Sequence, residues 1–274
     1  MSLSINSNSL AGLLANQLNN TSKELQATSH RIATGKRVLS ASDDPAGAGM
    51  LSSFKSDLAS YGAVDKNLKA GLSMLDVASS SLKNQQNILS QMKDLSTQAA
   101  NGTLSTDQRA AIQETFQQLQ TQLNETVNNA SLFGKNLTGA SGANIAIQTG
   151  ISSGSTYTLN AAKSDAATLG VDSASIDLTD ATKAGSAMTA IKTAIDTVST
   201  NQSLIGAQQN GLSTIAKNVA TIQQNIGDSI SRVEDVDVAA ESSKLQQLQA
   251  KMQLSTAMLG IVNQFPSYVL QLVR

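Results

Sequence analysis

Val198-Ser-Thr-Asn-Gln-Ser-Leu-Ile205-Gly-Ala-Gln-Gln-Asn-Gly-Leu212-Ser-Thr-Ile215-Ala-Lys-Asn-Val219-Ala-Thr-Ile222-Gln-Gln-Asn-Ile226-Gly-Asp-Ser-Ile-Ser-Arg-Val233 is the stretch on which the reading of this chain turns. Val198, Ile205, Leu212, Val219, Ile226 and Val233 recur at intervals of seven, joined by Ile215 and Ile222. An apolar seven-residue repeat kept up this long makes a coiled-coil seam. Charge pairs would flank the seam of a free two-chain zipper, whereas the flanks here are Gln, Asn and Ser. That favours a partner helix within the same chain. Upstream, Leu51, Phe54, Leu58, Tyr61, Val64, Leu68, Leu72, Leu75, Ala78, Leu82, Leu89, Met92, Leu95 and Ala99 form a second long stripe. Asp44-Pro45 opens it, Asp being a favoured N-cap and Pro preorganised for the first helical position. A helix from Pro45 to Ala100 would be ~80 Å long, a rod rather than a ball. The expected seam sets Leu58, Leu68, Leu75, Leu82 and Leu89 against Val198, Ile205, Leu212, Val219 and Ile226.

Working outward, Leu10 to Ile32 carries Leu14, Leu18, Leu25 and Ile32 on one helical face, and Thr34 to Asp44 breaks the pattern at Gly35. Asn101-Gly102 ends the long helix, and Asp107 to Leu123 resumes helical spacing through Ile112, Phe116, Leu119 and Leu123. The period then changes. Asn144 to Gly150 and Ser155 to Leu159 alternate around Gly150-Ile-Ser-Ser-Gly154 and read as a β-hairpin. Residues 161–186 are small, polar and weakly periodic, the least constrained part of the expected fold. A last helical pattern carries Leu245, Leu248, Met252, Leu259 and Val262, and the chain closes on an apolar Phe265 to Arg274 that includes Leu270 and Leu272. Such an end requires a partner to bury it. The expected fold is mainly α, a long antiparallel helical coiled coil with a small β-hairpin region in mid-chain.

Composition narrows function by exclusion. The 274 residues carry a net charge of −1, no Cys, no Trp, one His and 14% charged residues against a usual ~25%. Scattered Lys and Arg imply neither nucleic acid nor an anionic membrane surface as partner, and no stretch approaches the ~20 apolar residues of a membrane span. Met1 to Thr21 lacks the basic start and apolar run of a signal peptide. With His30 alone, His-assisted nucleophiles and multi-His metal sites cannot be assembled. The pair Asp43-Asp44 lies where a helix needs a cap rather than where a cation would bind. The Met residues, among them Met50, Met74, Met92, Met252 and Met258, read as core packing. No catalytic residue, cofactor site or metal site is expected.

Two stretches resemble flagellins. Asn20 to Gly47 contains Arg31-Ile-Ala-Thr-Gly-Lys-Arg37 followed by Asp43-Asp-Pro-Ala-Gly47, and the C-terminal half contains Leu204-Ile-Gly-Ala-Gln-Gln-Asn210, Ser231-Arg-Val-Glu-Asp-Val-Asp-Val-Ala-Ala-Glu-Ser242 and the closing Asn263 to Arg274. The resemblance covers about residues 1–135 and 190–274. It implies that the terminal segments, Ile5 to Thr34 and Val238 to Arg274, pair into an inner coiled-coil domain (1–40 with 236–274) around a rod domain (41–235) with a short variable segment at about 133–187. It further implies a structural, non-enzymatic subunit that self-assembles into the extracellular bacterial flagellar filament for swimming motility, after export unfolded through the flagellar type III apparatus. Leu14, Leu18, Leu25, Ile32, Leu245, Leu248, Met252, Leu259, Val262, Leu270 and Leu272 would form the polymerisation interface. Partners implied are further copies of the chain, an export chaperone, and the cap and hook–filament junction proteins. Alternatives are a hook–filament junction protein of the same family, or a flagellin-like surface protein that binds glycan or mediates adhesion. Two departures stand out: Gly211 where family members commonly carry Arg, expected to alter a subunit contact, and the missing large outer domains, which should leave a thin, smooth filament.

Overall fold

The apolar series behind Asp44-Pro45 forms one uninterrupted helix. In the computed structural model, which describes residues 9–272 with side chains as far as residue 264, helix α1 spans Ser9–Thr34, α2 Pro45–Ala99 and α3 Thr106–Asn129. Two short hairpins follow, β1 (Ser131–Leu132) with β2 (Lys135–Asn136) and β3 (Ile145–Gln148) with β4 (Thr156–Leu159), and then α4 (Ala181–Glu234) and α5 (Val238–Leu272). Ile5 and the side chains of Leu270 and Leu272 lie outside the described residues. The chain divides into two compact units, residues 58–224 and residues 1–57 with 225–274. The division falls inside α2 and α4.

Local chemistry sets the helix ends. Asp44 caps α2 by accepting from the Gly47 N–H at 2.9 Å. Asp43 instead closes the preceding turn, accepting from Ser40 Oγ (3.0 Å), Ser40 N (2.9 Å) and Leu39 N (3.2 Å), which holds its carboxyl below the usual carboxylate range. The start of α3 is a capping box: Ser105 Oγ accepts from Gln108 N at 3.3 Å, and Gln108 Oε1 accepts from Ser105 N at 2.9 Å. Arg109 then reaches back to the C-terminal end of α2, donating to the carbonyls of Ala99 and Asn101 at 3.0 Å each. A cation at the negative end of a helix dipole is favourable there.

In the 58–224 unit, α3 and α4 both run antiparallel to α2. Ser81 Oγ donates to Thr126 O at 3.2 Å, and Gln202 and Gln209 donate from α4 to Gln86 and Asp76 at 2.8 Å each. Amides thus bridge the positions where a zipper would place charges. Leu68, Leu75, Leu82, Leu89 and Met92 of α2, Phe116 and Leu123 of α3, and Ile191, Val198, Ile205 and Leu212 of α4 are fully buried in one core. Leu58 and Ile226, at the limits of the stripes, are only half-buried.

Hairpin β3–β4 covers this core where the helices carry glycine. A Cβ at Gly71 would stand 2.9 Å from Leu212 Cδ2 and 3.3 Å from Ile147 Cγ1, and one at Gly211 would stand 2.6 Å from the Tyr157 hydroxyl oxygen. The departure at Gly211 therefore has an intramolecular meaning, the seating of Tyr157.

Residues 161–186 differ from expectation. Ala162, Ser164, Ala166, Val171, Ile176, Leu178 and Ala184 are buried, and three amides of α3 hold the segment in place. Gln113 Oε1 accepts from Leu178 N at 2.8 Å, Gln120 Nε2 donates to Val171 O at 2.7 Å, and Asn124 Oδ1 accepts from Ala166 N at 3.2 Å. Periodicity misses such a segment because its backbone is held partly by short local turns and partly by side chains of another element, neither of which repeats along the chain. Helix α4 also begins well before Val198, at an Asp180 cap that accepts from Thr182 N at 2.7 Å.

Candidate functional site

The terminal helices are joined by the two recognised motifs. Gly35, at φ +70°, ends α1 in the left-handed conformation that favours glycine. The strand-like residues beyond it pair with the end of α4: Arg37 N donates to Glu234 O at 2.6 Å, and Val236 N donates to Gly35 O at 3.0 Å. The buried Glu234 carboxylate receives Lys36 at 2.6 Å and Lys55 at 2.9 Å, and Arg37 donates to Val233 O at 2.8 Å. Hydrogen bonds from Lys36, then Lys55, hold Glu234 below its ordinary range, and the same contact raises Lys36. Asp237 caps α5 through the N–H groups of Ala239 (3.0 Å) and Ala240 (3.1 Å). Glu241 in the first turn of α5 meets Arg31 in the last turn of α1 at 3.4 Å, each with the sign its helix end prefers. Beside this junction lies a groove of about 790 Å³, lined among others by Val38, Leu39, Leu51, Lys36, Lys55 and Glu234.

Above the junction α1 and α5 pack together, antiparallel. Small polar residues hold the centre of their contact. Thr21 and Thr28 of α1 are 1% exposed, and Leu248, Ser255 and Val262, at intervals of seven on α5, are buried as well. Short side chains let two helices approach closely, and the Thr21 hydroxyl is satisfied by the Gln17 carbonyl at 2.9 Å. Leu14, Leu18, Leu25, Ile32, Leu245, Met252 and Leu259 flank this centre half-buried. The residues read from the sequence are thus brought together, but mainly against each other.

A second apolar set faces water and was missed by the sequence reading. Leu254, Met258 and Ile261, at spacings of four and three, form an outward stripe on α5, with Leu254 66% exposed. Leu10 and Leu13 are exposed on α1 at the same end of the antiparallel pair. Their signal was present: Leu254 and Ile261 repeat at seven, out of phase with Leu245, Met252 and Leu259. Met258 belongs to this stripe and Met50 is exposed too, so of the five methionines expected to pack the core, Met74 and Met92 are buried and Met252 is half-buried.

Residues 5–142 match the family model of the bacterial flagellin N-terminal helical region, and residues 188–273 match that of the C-terminal helical region. The chain belongs to the bacterial flagellin family. It is 32% identical to flagellin FljK of Caulobacter vibrioides, over 99% of this chain and 98% of that one. It is 30% identical to a flagellin of Halalkalibacterium halodurans, over 91% and 92% respectively. The crystal structure of Bacillus cereus flagellin matches 56% of this chain and 88% of its own length, with a TM-score of 0.51 at 28% identity. A putative flagellar hook-associated protein from Vibrio parahaemolyticus shares the fold over 70% of this chain, at 14% identity and a TM-score of 0.58. As a flagellin, the chain is a structural subunit of the flagellar filament, which lies outside the cell. Among the described residues no helix is long and apolar enough to cross a membrane.

Proposed function

We propose that this flagellin polymerises through its terminal helix pair, with the outward stripes of α5 and α1 docking onto neighbouring copies. The observation that supports this is the exposed set Leu10, Leu13, Leu254, Met258 and Ile261, all on one end of one helix pair. Apolar stripes of this size are costly in water and mark interaction sites. Leu14, Leu18, Leu25, Ile32, Leu245, Leu248, Met252, Leu259 and Val262 then act indirectly, by holding the pair that displays the stripe. Contacts of this kind between identical subunits are head-to-tail and do not close, so the product is an open helical fibre. Assembly of this kind involves no catalytic role, no nucleic acid and no membrane insertion. Membership of the flagellin family supports export unfolded through the flagellar type III apparatus with an export chaperone, and contact with the cap and hook–filament junction proteins. Replacing Leu254 and Ile261 together with Asp tests the site. The circular dichroism and melting of the monomer should be unchanged, because both side chains already face water, while seeded fibres should no longer form. Fibres from the double variant at the wild-type critical concentration would exclude the stripe as the docking surface.

A further inference from the structure

The two Asn-Gly pairs of the chain, Asn101-Gly102 and Asn210-Gly211, stand in opposite backbone settings although both Asn side chains are exposed. Loss of the Asn amide requires the next backbone nitrogen to turn onto the side-chain carbon Cγ, and a following Gly offers no Cβ to obstruct it. Within α4 the Gly211 N–H is committed to the helix ladder, donating to the carbonyl four residues earlier. Gly102 lies in the turn between α2 and α3, and its N–H has no acceptor among the described residues.

The Asn101 amide is also polarised. Its Oδ1 accepts from Thr103 N at 3.1 Å and from Thr103 Oγ1 at 3.0 Å. Donors on a carbonyl oxygen stabilise the negative charge that develops there when a nucleophile adds. The turn is held in shape by Arg109 and Leu104, whose N–H groups donate to Asn101 O at 3.0 and 3.3 Å.

We propose that Asn101 is a site of spontaneous deamidation and isoaspartate formation. Gly102 N bonds to Asn101 Cγ as the Cγ–Nδ2 bond breaks, and Nδ2 leaves as ammonia with the proton given up by Gly102 N. The five-membered imide so formed is opened by water. Attack at Cγ returns the nitrogen to the backbone carbon and leaves aspartate, whereas attack at the backbone carbon leaves isoaspartate, with the main chain rerouted through the side chain. No electrons are transferred, and the net change is NH2 for OH. One carboxylate is added beside Arg109, taking the formal charge of the chain from −1 to −2.

The test uses the full-length protein, incubated at mildly alkaline pH and sampled over days, with tryptic peptides resolved by mass spectrometry and an isoaspartate-sensitive separation. The peptide ending at Arg109 carries Asn101, and the one ending at Lys217 carries Asn210. Helix α4 must open before Gly211 N can react, and an opening that costs even 1.36 kcal/mol slows the step tenfold. Conversion at Asn101 should therefore run at least about tenfold faster than at Asn210, with isoaspartate among its products. Gly102→Ala should slow it severalfold without disturbing the fold, since a Cβ there would meet nothing within 4 Å. Equal rates at the two Asn residues, or an unchanged rate in the Gly102→Ala protein, would overturn the assignment.

Discussion

Phe133 sits at the tip of β1–β2 with φ 53°, beside Gly134 at φ 69°, in a two-residue turn whose first position normally takes Asn or Gly. A bulky side chain in the left-handed region costs roughly 1–2 kcal/mol. At 72% exposed, Phe133 recovers little of this by burial. Phe133→Asn should accordingly stabilise the monomer by about 1 kcal/mol, raising Tm by about 2–4 °C for a chain of this size; calorimetry on the two proteins checks it. Glu234 gives a pH-dependent counterpart. Its folded pKa lies below its ordinary value of 4.5, so its stabilising effect is complete above that value and is lost as pH falls through the folded pKa. Lys36, raised above 10.5, behaves oppositely and loses its contribution only as pH rises past its folded value. Glu234→Gln should therefore lower Tm at pH 7 and match wild type once the pH is acidic enough to protonate Glu234. A constant difference in Tm from pH 7 to pH 3 would contradict this. Neither residue could be assigned from sequence. Phe133 stands where a two-residue turn usually carries Asn, Asp or Gly, and the partners of Glu234 lie about two hundred positions away along the chain, at Lys36 and Lys55.

Among the elements, the α2 and α4 stripes were legible because each is long, periodic and free of Pro after its first residue. Repeated spacing accumulates over many turns, so single irregular positions do not hide it. The 161–178 segment was illegible for the complementary reason. Besides its own short turns it is held by Gln113, Gln120 and Asn124 of α3, and no pattern within the segment itself records those long-range bonds. The seam also yields a stability prediction. Leu212 is fully buried against Gly71, so Leu212→Asp strands a charge in the core and should cost about 4 kcal/mol or more, unfolding the monomer rather than merely blocking fibres. Unchanged helicity and melting in that variant would show that the side chain is not sequestered there.

For the whole molecule, the terminal helices and the remainder should separate in energetic terms. Pairing α1 with α5 covers one face of each helix and leaves Leu13, Leu254 and Ile261 in water. The ordering of about sixty residues, at ~1–2 kcal/mol each for backbone alone, nearly cancels the gain from so limited a contact. A fragment spanning residues 45–235 should stay helical and monomeric at concentrations where the full chain forms fibres. In the free full-length monomer, protease should cut α1 and α5 before α2. Polymerisation of the fragment on seeds, or equal resistance of all helices, would reject this separation. The half-buried residues of the terminal pair are legible in the sequence and its exposed stripe is not, because an apolar residue on a helix does not reveal whether its own chain or a neighbour will cover it. Finally, the seat of Tyr157 at Gly211 supplies an optical handle. The chain has no Trp and three Tyr, at positions 61, 157 and 268, so its ultraviolet emission is pure tyrosine and no indole masks it. The difference spectrum between wild type and Tyr157→Phe isolates a single phenol reporting on hairpin docking, which makes the closing of β3–β4 over α2 and α4 observable in real time without any added dye.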